Sequence, residues 1–578
     1  MPETKTYPIS DSALSVLTKR YFKPEENWES LCLRVAKALA PNQLEVQKMY
    51  FKIMYDRDFL PNTPCLINAG TSIGQLMACF VLPVEDSIDG IFSSIKNAAI
   101  IHKSGGGTGF SFSRLRESNT RVQSTNGIAS GPISFMEVFN AATGAIKQGG
   151  VRRGANMGML RIDHPDIQSF IECKSDTKQL TNFNISVAVT SKFMEAVQKD
   201  EPFDLISPFT NTVIKTVRAK ELWDKIAHFA WLNGEPGIIF IDEVNKYNPT
   251  PLAGDMEATN PCGEQPLLPY EACVLGSINL AHVVEQENWQ ERLREITDIA
   301  TCMLNSIIDY STYPLPEIER MVKTNRKVGL GIMGWADMLM KLKIPYDSEM
   351  AIHLANEVMS TIYAESKHIS GILAETTGIH APSMSTLNAT TTTIAPTGSI
   401  SMIADCSSGI EPAFSLAYTK TVIDGTPYQY INQYLKAALE EVGLWTEKIE
   451  KEVLRSGSIQ HIEEIPQDIK DVYKISHEIS PTDHIKMQAA FQVWVDNAVS
   501  KTINLPKTAT EDDVKNAYLF AYDNKCKGIT VYRDGSRESQ ILSVGYKQKR
   551  KTCPECNGKI VHESGCVTCV ECGWAVCE

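Results

Sequence analysis

The alternation of short apolar runs with amphipathic helical stretches through the middle of the chain constrains its fold more than any other feature. Between residues 160 and 260, strand-like runs at 185–189 and 238–241 flank a helical pattern at 219–231. That order is expected of an α/β fold in which helices cover a central sheet. Met77-Ala78-Cys79-Phe80-Val81-Leu82, stopped by Pro83, reads as a buried strand carrying Cys79 into the core, and 273–280 and 528–532 read likewise. A long helix starts at a cap on Asp347 or Ser348, runs to about Leu373 and ends near Gly378. The first part of the chain is helical instead, with Ser10 or Asp11 capping a pattern of Ala13, Val16 and Leu17, then Leu31, Val35, Ala36 and Leu39. At 578 residues the chain can bury a large core. The patterns divide it into a helical region at 1–58, a large α/β domain at 59–545 and a cysteine-rich tail at 546–578.

The hydrophobic fraction of 43% and charged fraction of 22% are ordinary for a soluble globular protein. No apolar run approaches bilayer length and the first ten residues lack a signal pattern, so the expected location is cytoplasmic, with no membrane partner. A net charge of -13 argues against nucleic acid as a partner but leaves small anions open. Of 15 cysteines, six crowd into residues 553–577 while the rest are scattered. That distribution favours metal binding and redox chemistry over structural bridges.

The stretch Ala258-Thr259-Asn260-Pro261-Cys262-Gly263-Glu264-Gln265-Pro266 sets a thiol between an amide and a carboxylate at alternate positions. Its two prolines and one glycine forbid a helix and suit a tight loop. In such a backbone Asn260, Cys262 and Glu264 can project to one side and converge on a small substrate. An isolated cysteine more often packs as a small hydrophobe, so the motif needs support from elsewhere. Cys273 lies 11 positions after Cys262.

Anion cradles supply part of that support. Glycines at 105, 106, 107 and 109 precede Arg114 and Arg116, and Lys147, Arg152 and Arg153 stand in a second glycine-rich loop around Asn156. Neither loop is a dinucleotide fingerprint or a P-loop. Residues 390–401 read as a strand turning into a helix N-terminus whose hydroxyls and N–H groups suit a phosphate. Glu365 and His368 form one Glu-x-x-His pair, short of the two a di-iron bundle needs, and read as a surface pair. In the tail, Cys553-x-x-Cys556 and Cys569-x-x-Cys572 have zinc-ribbon spacing, leaving Cys566 and Cys577 for disulfide exchange or structure. Which tail cysteines bind zinc is open at this stage.

Taken in order, the Cys79 strand, the 147–158 loop, the 260–264 motif, Cys273 and Pro396-Thr397-Gly398-Ser399-Ile400-Ser401 resemble the catalytic subunit of ribonucleotide reductases, over roughly residues 50–578. The glycine-rich loops and the tail are most similar to class II, the adenosylcobalamin-dependent enzymes. Class I subunits carry paired tyrosines near the C-terminus, whereas Tyr532 has no tyrosine beside it. No glycyl-radical motif is found. The resemblance implies a ten-stranded α/β barrel of two half-barrels around a central finger loop at 258–266, with a helical N-terminal region and a zinc-ribbon tail.

The same resemblance implies the roles. Cys262 would carry a thiyl radical, Glu264 would be the base, Asn260 a positioning group, and Cys79 with Cys273 the reductant, restored through the tail by a thioredoxin-like protein. Thr63, Ala78, Pro396, Thr397, Gly398, Ser399 and Ile400 would bind the ribonucleotide, diphosphate or triphosphate. Asp86, Ser87, Ile88, Arg114, Lys147, Arg152 and Arg153 would bind a deoxynucleoside triphosphate effector in a homodimer. No Asp-x-His-x-x-Gly motif for histidine ligation of cobalt is present. Two alternatives stand beside this: a class I subunit needing a metal-radical partner, and a zinc-ribbon protein that binds nucleic acid.

Overall fold

A computed structural model describes residues 7–121, 127–146, 154–421 and 427–536, together with three tail strands, Ile560–Glu563, Cys566–Cys569 and Ala575–Cys577. It comprises two compact units, one of Met1–Pro412 with Ile479–Ser536, the other of Ala413–Glu478 with Arg537–Glu578.

The first unit opens with helices Asp11–Arg20, Trp28–Leu39 and Leu44–Tyr55. The cap on the first is Ser10, whose hydroxyl accepts from the Ala13 N–H at 3.1 Å. Asn27 and Ser30 close a capping box on the second, which buries Leu31, Cys32, Val35, Ala36 and Leu39 along one face. Of the two caps offered for the long helix, the structure uses Ser348, and helix Glu349–Thr377 ends at Gly378 with φ +69°.

Five parallel strands follow one another across the sheet: Cys79–Leu82, Gly107–Ser111, Asn156–Arg161, Phe183–Val189 and Gly237–Phe240. A second parallel run starts at Ala272–Asn279 and pairs with Val328–Met333. Leu330 then bridges to Thr392, and Ile394 bridges to Val499, both in parallel. The chain beyond Val499 becomes strand Thr502–Leu505, parallel to Gly528–Arg533. The two runs join antiparallel at both ends, where Cys273 lies opposite Cys79 and Gly528 opposite Ile239. The pairing thus returns to its start, and two half-barrels of opposite direction close into one ring, with the short strand Phe59–Pro61 added antiparallel against Ala272–Asn279.

The parallel strands are buried on both faces, which explains why they read as continuous apolar runs. Alternate residues part company. Cys79, Val81, Met157, Met159, Ile239, Cys273 and Leu275 form one cluster with Ala258, Leu267 and Leu268. Phe80, Leu82, Leu160, Ile238, Val274 and Ile278 belong to the larger core shared with the helices. The first cluster is therefore the barrel interior.

The second unit carries a hairpin, Ala417–Thr421 with Pro427–Ile431, and helices Gln433–Glu441 and Glu447–Ser456. Its tail strands form a three-stranded antiparallel sheet. Among the described residues, no helix is long and apolar enough to cross a membrane.

Candidate active site

The 258–266 stretch forms a narrow hairpin in which Ala258–Thr259 pairs with Pro266–Leu267. Asn260 closes its tip twice: its N–H donates to the Gln265 carbonyl at 3.1 Å, and its Oδ1 accepts from the Gln265 N–H at 2.9 Å. Gly263 turns the tip at φ +82°, where a side chain would be strained.

Both half-barrels hold this hairpin. In the first, the contact is bare backbone: a Cβ on Gly109 would lie 1.8 Å from the Thr259 carbonyl oxygen, and one on Gly107 3.0 Å from Pro261 Cγ. Asn184 Nδ2 also donates to the Pro261 carbonyl at 2.8 Å. In the second, the Ala498 N–H and the Thr393 hydroxyl both donate to the Glu264 carbonyl, at 2.9 and 3.0 Å. Gln265 is fully buried with its Nε2 against Gly329, and among the described residues neither of its side-chain polar atoms has a hydrogen-bond partner.

The three motif residues have different surroundings. Asn260 and Glu264 are 1% and 2% exposed, whereas Cys262 is exposed. Asn260 Nδ2 donates to Cys79 Sγ at 3.1 Å. Cys79 and Cys273 are not joined by a disulfide and are directly opposed across two antiparallel strands. Such partners have Cα atoms about 4.5–5.5 Å apart, within the span of a disulfide. Burial pushes the Cys273 thiol far up, with the Lys327 cation opposing the shift and the Glu271 and Glu264 carboxylates adding to it. Cys273 therefore stays protonated at neutral pH.

Beside that thiol, Lys327 and Glu271 form an ion pair at 2.7 Å, each 1% exposed. Asn325 Nδ2 and the Leu268 N–H donate to the two Glu271 oxygens. A pair so fully desolvated holds only because its remaining lone pairs are satisfied.

At the next turn, Thr397 sits at φ +55° and its hydroxyl accepts from the Gly409 N–H at 2.8 Å. Ile400–Ile403 forms one helical turn, and nothing lies within 4 Å of where a Gly398 Cβ would stand. Thr63 begins helix Thr63–Asn68 and its hydroxyl meets the Tyr21 hydroxyl at 2.8 Å. Ala78 lies in the barrel interior, and its carbonyl accepts from Gly107.

Among the residues expected to meet an effector, Ser87 caps helix Ile88–Lys103 and Ile88 is 65% exposed. Asp86 pairs with Arg116 at 2.8 Å, and Arg114 is held by Glu85 and Glu257 at 2.6 and 3.0 Å. Lys147, Arg152, Arg153, Cys553, Cys556 and Cys572 lie outside the described residues. The tail backbone sets position 566 opposite 577 and 569 opposite 560.

Behind the first half-barrel runs a buried polar ladder that no local sequence pattern marks. His102 Nε2 meets Thr108 Oγ1 at 2.8 Å, the Thr108 hydroxyl donates to Asn156 Oδ1 at 2.7 Å, and Asn156 Nδ2 donates to Thr143 Oγ1 at 2.9 Å. Burial lowers the His102 pKa to about 4, so the ring is neutral. The Glu365–His368 pair also differs from a plain surface pair. His368 is exposed, but half-buried Glu365 bonds Asp298, and burial with this neighbour raises the Asp298 pKa to about 6.

A model of the ribonucleotide reductase barrel domain matches residues 77–386 and 383–532, and one of the reductase all-alpha domain matches residues 8–74. The vitamin B12-dependent ribonucleoside-diphosphate reductase of Thermoplasma acidophilum is 48% identical over 512 residues, covering 86% of this chain and 66% of that one. The Mycobacterium tuberculosis enzyme of the same name is 41% identical over 560 residues, covering 93% and 81%. In fold, the chain is similar to the class Id ribonucleotide reductase alpha subunit of Actinobacillus ureae, with a TM-score of 0.79 over 91% of this chain and 97% of that one at 23% identity. The closed barrel, its hairpin and these matches together establish that the chain belongs to the ribonucleotide reductase family, among its vitamin B12-dependent members.

Proposed function

We propose that this chain reduces ribonucleoside diphosphates to 2'-deoxyribonucleotides by thiyl-radical chemistry at Cys262, started by adenosylcobalamin. The observation that carries the reading is the division among the thiols: the hairpin-tip Cys262 opens to space, while Cys79 and Cys273 are register partners inside the barrel. The exposure of Cys262 at the tip supports access by a radical-supplying cofactor. Next to it, the nearest atom to a Cβ built on Gly263 is Ile239 Cδ1, at 4.0 Å. When bound, adenosylcobalamin supplies a carbon-centred radical able to take a hydrogen atom.

As a thiyl, Cys262 abstracts the ribose 3'-hydrogen. Glu264 accepts the 3'-hydroxyl proton as the 2'-hydroxyl leaves as water. Asn260 holds the same face and, through its bond to Sγ, orients Cys79. Cys79 and Cys273 together give two electrons and two protons and become a disulfide, and the 3'-hydrogen returns from Cys262. The balance is one ribonucleotide and two thiols to one deoxyribonucleotide, one water and one disulfide. Residues 396–400, with Thr63 and Ala78, receive the substrate, the open side of Gly398 supporting a phosphate there.

Around this centre, Asp86, Ser87, Ile88, Arg114 and the basic residues 147, 152 and 153 bind a deoxynucleoside triphosphate in a homodimer, a reading supported by the exposure of Ile88 and Phe92 on one helix. Cys553, Cys556, Cys569 and Cys572 hold zinc. Cys566 and Cys577 relay electrons from a cytoplasmic thioredoxin-like protein, which their opposed backbone positions support.

The test is an anaerobic assay of the purified chain with adenosylcobalamin, a dithiol and each ribonucleotide in turn. Deoxynucleotide should form without a second protein, and Cys262→Ser should abolish turnover while nucleotide binding persists. Dependence on a separate metal-radical protein, or substantial turnover by the serine variant, would overturn the reading.

A further inference from the structure

Two polar side chains inside the barrel are buried with hydrogen-bonding capacity unused, and neither belongs to the machinery described above. Asn62 is 6% exposed and Ser277 is 1% exposed. Among the described residues, neither Asn62 Nδ2 nor Ser277 Oγ has a partner. A buried polar group left without a partner is costly, so two neighbouring ones call for a ligand.

Their placement says which part of a ligand. Along strand Ala272–Asn279, Cys273 and Leu275 face the interior while Val274 and Ile278 face the helices. A Gly276 Cβ would strike Phe59 and approach Leu304, again on the outer side. Ser277 shares the parity of Cys273 and points inward. The Asn62 N–H donates to the Leu275 carbonyl, which seats Asn62 between Cys273 and Ser277. Its Oδ1 is committed to the Cys65 N–H at 3.0 Å, which leaves the amide hydrogens for another partner.

Ser277 neighbours the 396–400 turn. Its register partners are Leu60 on strand Phe59–Pro61 and Gly331 on strand Val328–Met333, and a Cβ on Gly331 would stand 2.2 Å from the Thr393 oxygen and 3.5 Å from Ile394 Cα. Gly331 has no side chain to screen the serine from the chain that enters the turn. Two residues on, Asn279 Nδ2 reaches the Ala404 carbonyl just past it. Cys273 and Ser277 are four residues apart, roughly 13 Å at about 3.3 Å per residue. A ribose with its 5'-phosphates spans such a gap, the sugar at the thiol pair and the phosphates at the turn.

We propose that Asn62 Nδ2 and Ser277 Oγ are substrate-binding groups that donate hydrogen bonds to the phosphate nearest the ribose. The inference rests on reading the barrel as a ribonucleotide site. It adds a second, inner contact to the one made by the turn.

Two substitutions isolate it. Ser277→Ala removes only the hydroxyl. Asn62→Asp keeps the oxygen that caps Cys65 but replaces the donor with a negative charge. Full-length proteins are titrated calorimetrically with CDP, ADP, GDP and UDP, and melted without ligand. Ser277→Ala should bind diphosphates roughly tenfold more weakly and Asn62→Asp still more weakly, as expected for lost hydrogen bonds to a charged group. Ser277→Ala should melt no lower than wild type, and Ser277→Thr should recover affinity. Wild-type binding with unaltered affinities in both variants overturns this inference alone. A lowered melting temperature in Ser277→Ala with no change in diphosphate affinity also overturns it. Wild-type protein that binds no ribonucleotide overturns the site reading and this inference together.

Discussion

The two half-barrels grip the same hairpin by different physics. The first does so mainly by omission, since Gly107 and Gly109 have no side chains and the hairpin backbone lies directly on theirs, with one hydrogen bond from Asn184 to the Pro261 carbonyl. The second donates two hydrogen bonds to a single carbonyl, that of Glu264. Their buried polar groups differ in the same sense. The first half hides a neutral ladder from His102 to Thr143 beside the ion pair Lys174–Glu235, whose side chains keep 10% exposure, and the second hides the more deeply buried pair Lys327–Glu271, at 1%. Shape fixes where the hairpin lies, and polar contacts fix how its tip is oriented.

The comparison is broken most severely through the charged pair. Lys327→Met leaves Glu271 buried and uncompensated, so denaturant unfolding should show a loss of about 3–5 kcal/mol. The paired substitution Lys327→Met with Glu271→Leu should recover most of it. The neutral ladder makes the opposite demand on pH. The His102 pKa is about 4 in the fold against roughly 6.5 in the unfolded chain, so the unfolded state binds the extra proton between those values. Stability from this residue is full above about pH 6.5 and is lost as pH falls towards 4, by up to roughly 3 kcal/mol. His102→Gln should flatten that part of the wild-type pH profile, and an unaltered slope would show that the ring is not held neutral.

Shape is tested next. Gly109→Ala sets a methyl against the Thr259 carbonyl, so the hairpin must move; overpacking of this kind costs about 1–3 kcal/mol, and a misplaced tip should lower kcat on the order of 100-fold. The smallest effect is expected at Thr393→Val. It removes one of two donors to the Glu264 carbonyl, for about 1 kcal/mol of stability and a several-fold loss in kcat with KM little changed. Equal activity losses at Gly109 and Thr393 would erase the distinction between the two halves.

What could be read from the residues alone follows the same divide. The prolines and glycine of 258–266 announce a tight loop, and apolar runs ended by proline announce the Cys79 strand, because both are local constraints. The expected convergence of Asn260, Cys262 and Glu264 assumed regular alternation along an extended backbone. Gly263, at φ +82°, turns the chain within that motif, with Cys262 exposed and Asn260 and Glu264 buried, a local geometry that alternation alone does not encode. Lys327 and Glu271 are 56 positions apart, and Asn62 meets a strand more than 200 positions later. No periodicity encodes such pairings. Ring closure was equally hidden, since it depends on two single bridges at Leu330 and Ile394.

The opposed direction of the two strand runs has one more consequence. In a barrel whose strands all point one way, every strand-to-helix loop emerges on the same rim, and a site can be assembled there from loops alone. Here the loops are divided between the two rims, so neither end collects enough of them to surround a substrate. The hairpin at 258–267 instead enters the interior, where Ala258 and Leu267 join the barrel's inner cluster, and the proposed reading places the reactive groups on it. An architecture that sacrifices the shared rim gains an enclosed centre, the setting that the proposed radical chemistry requires.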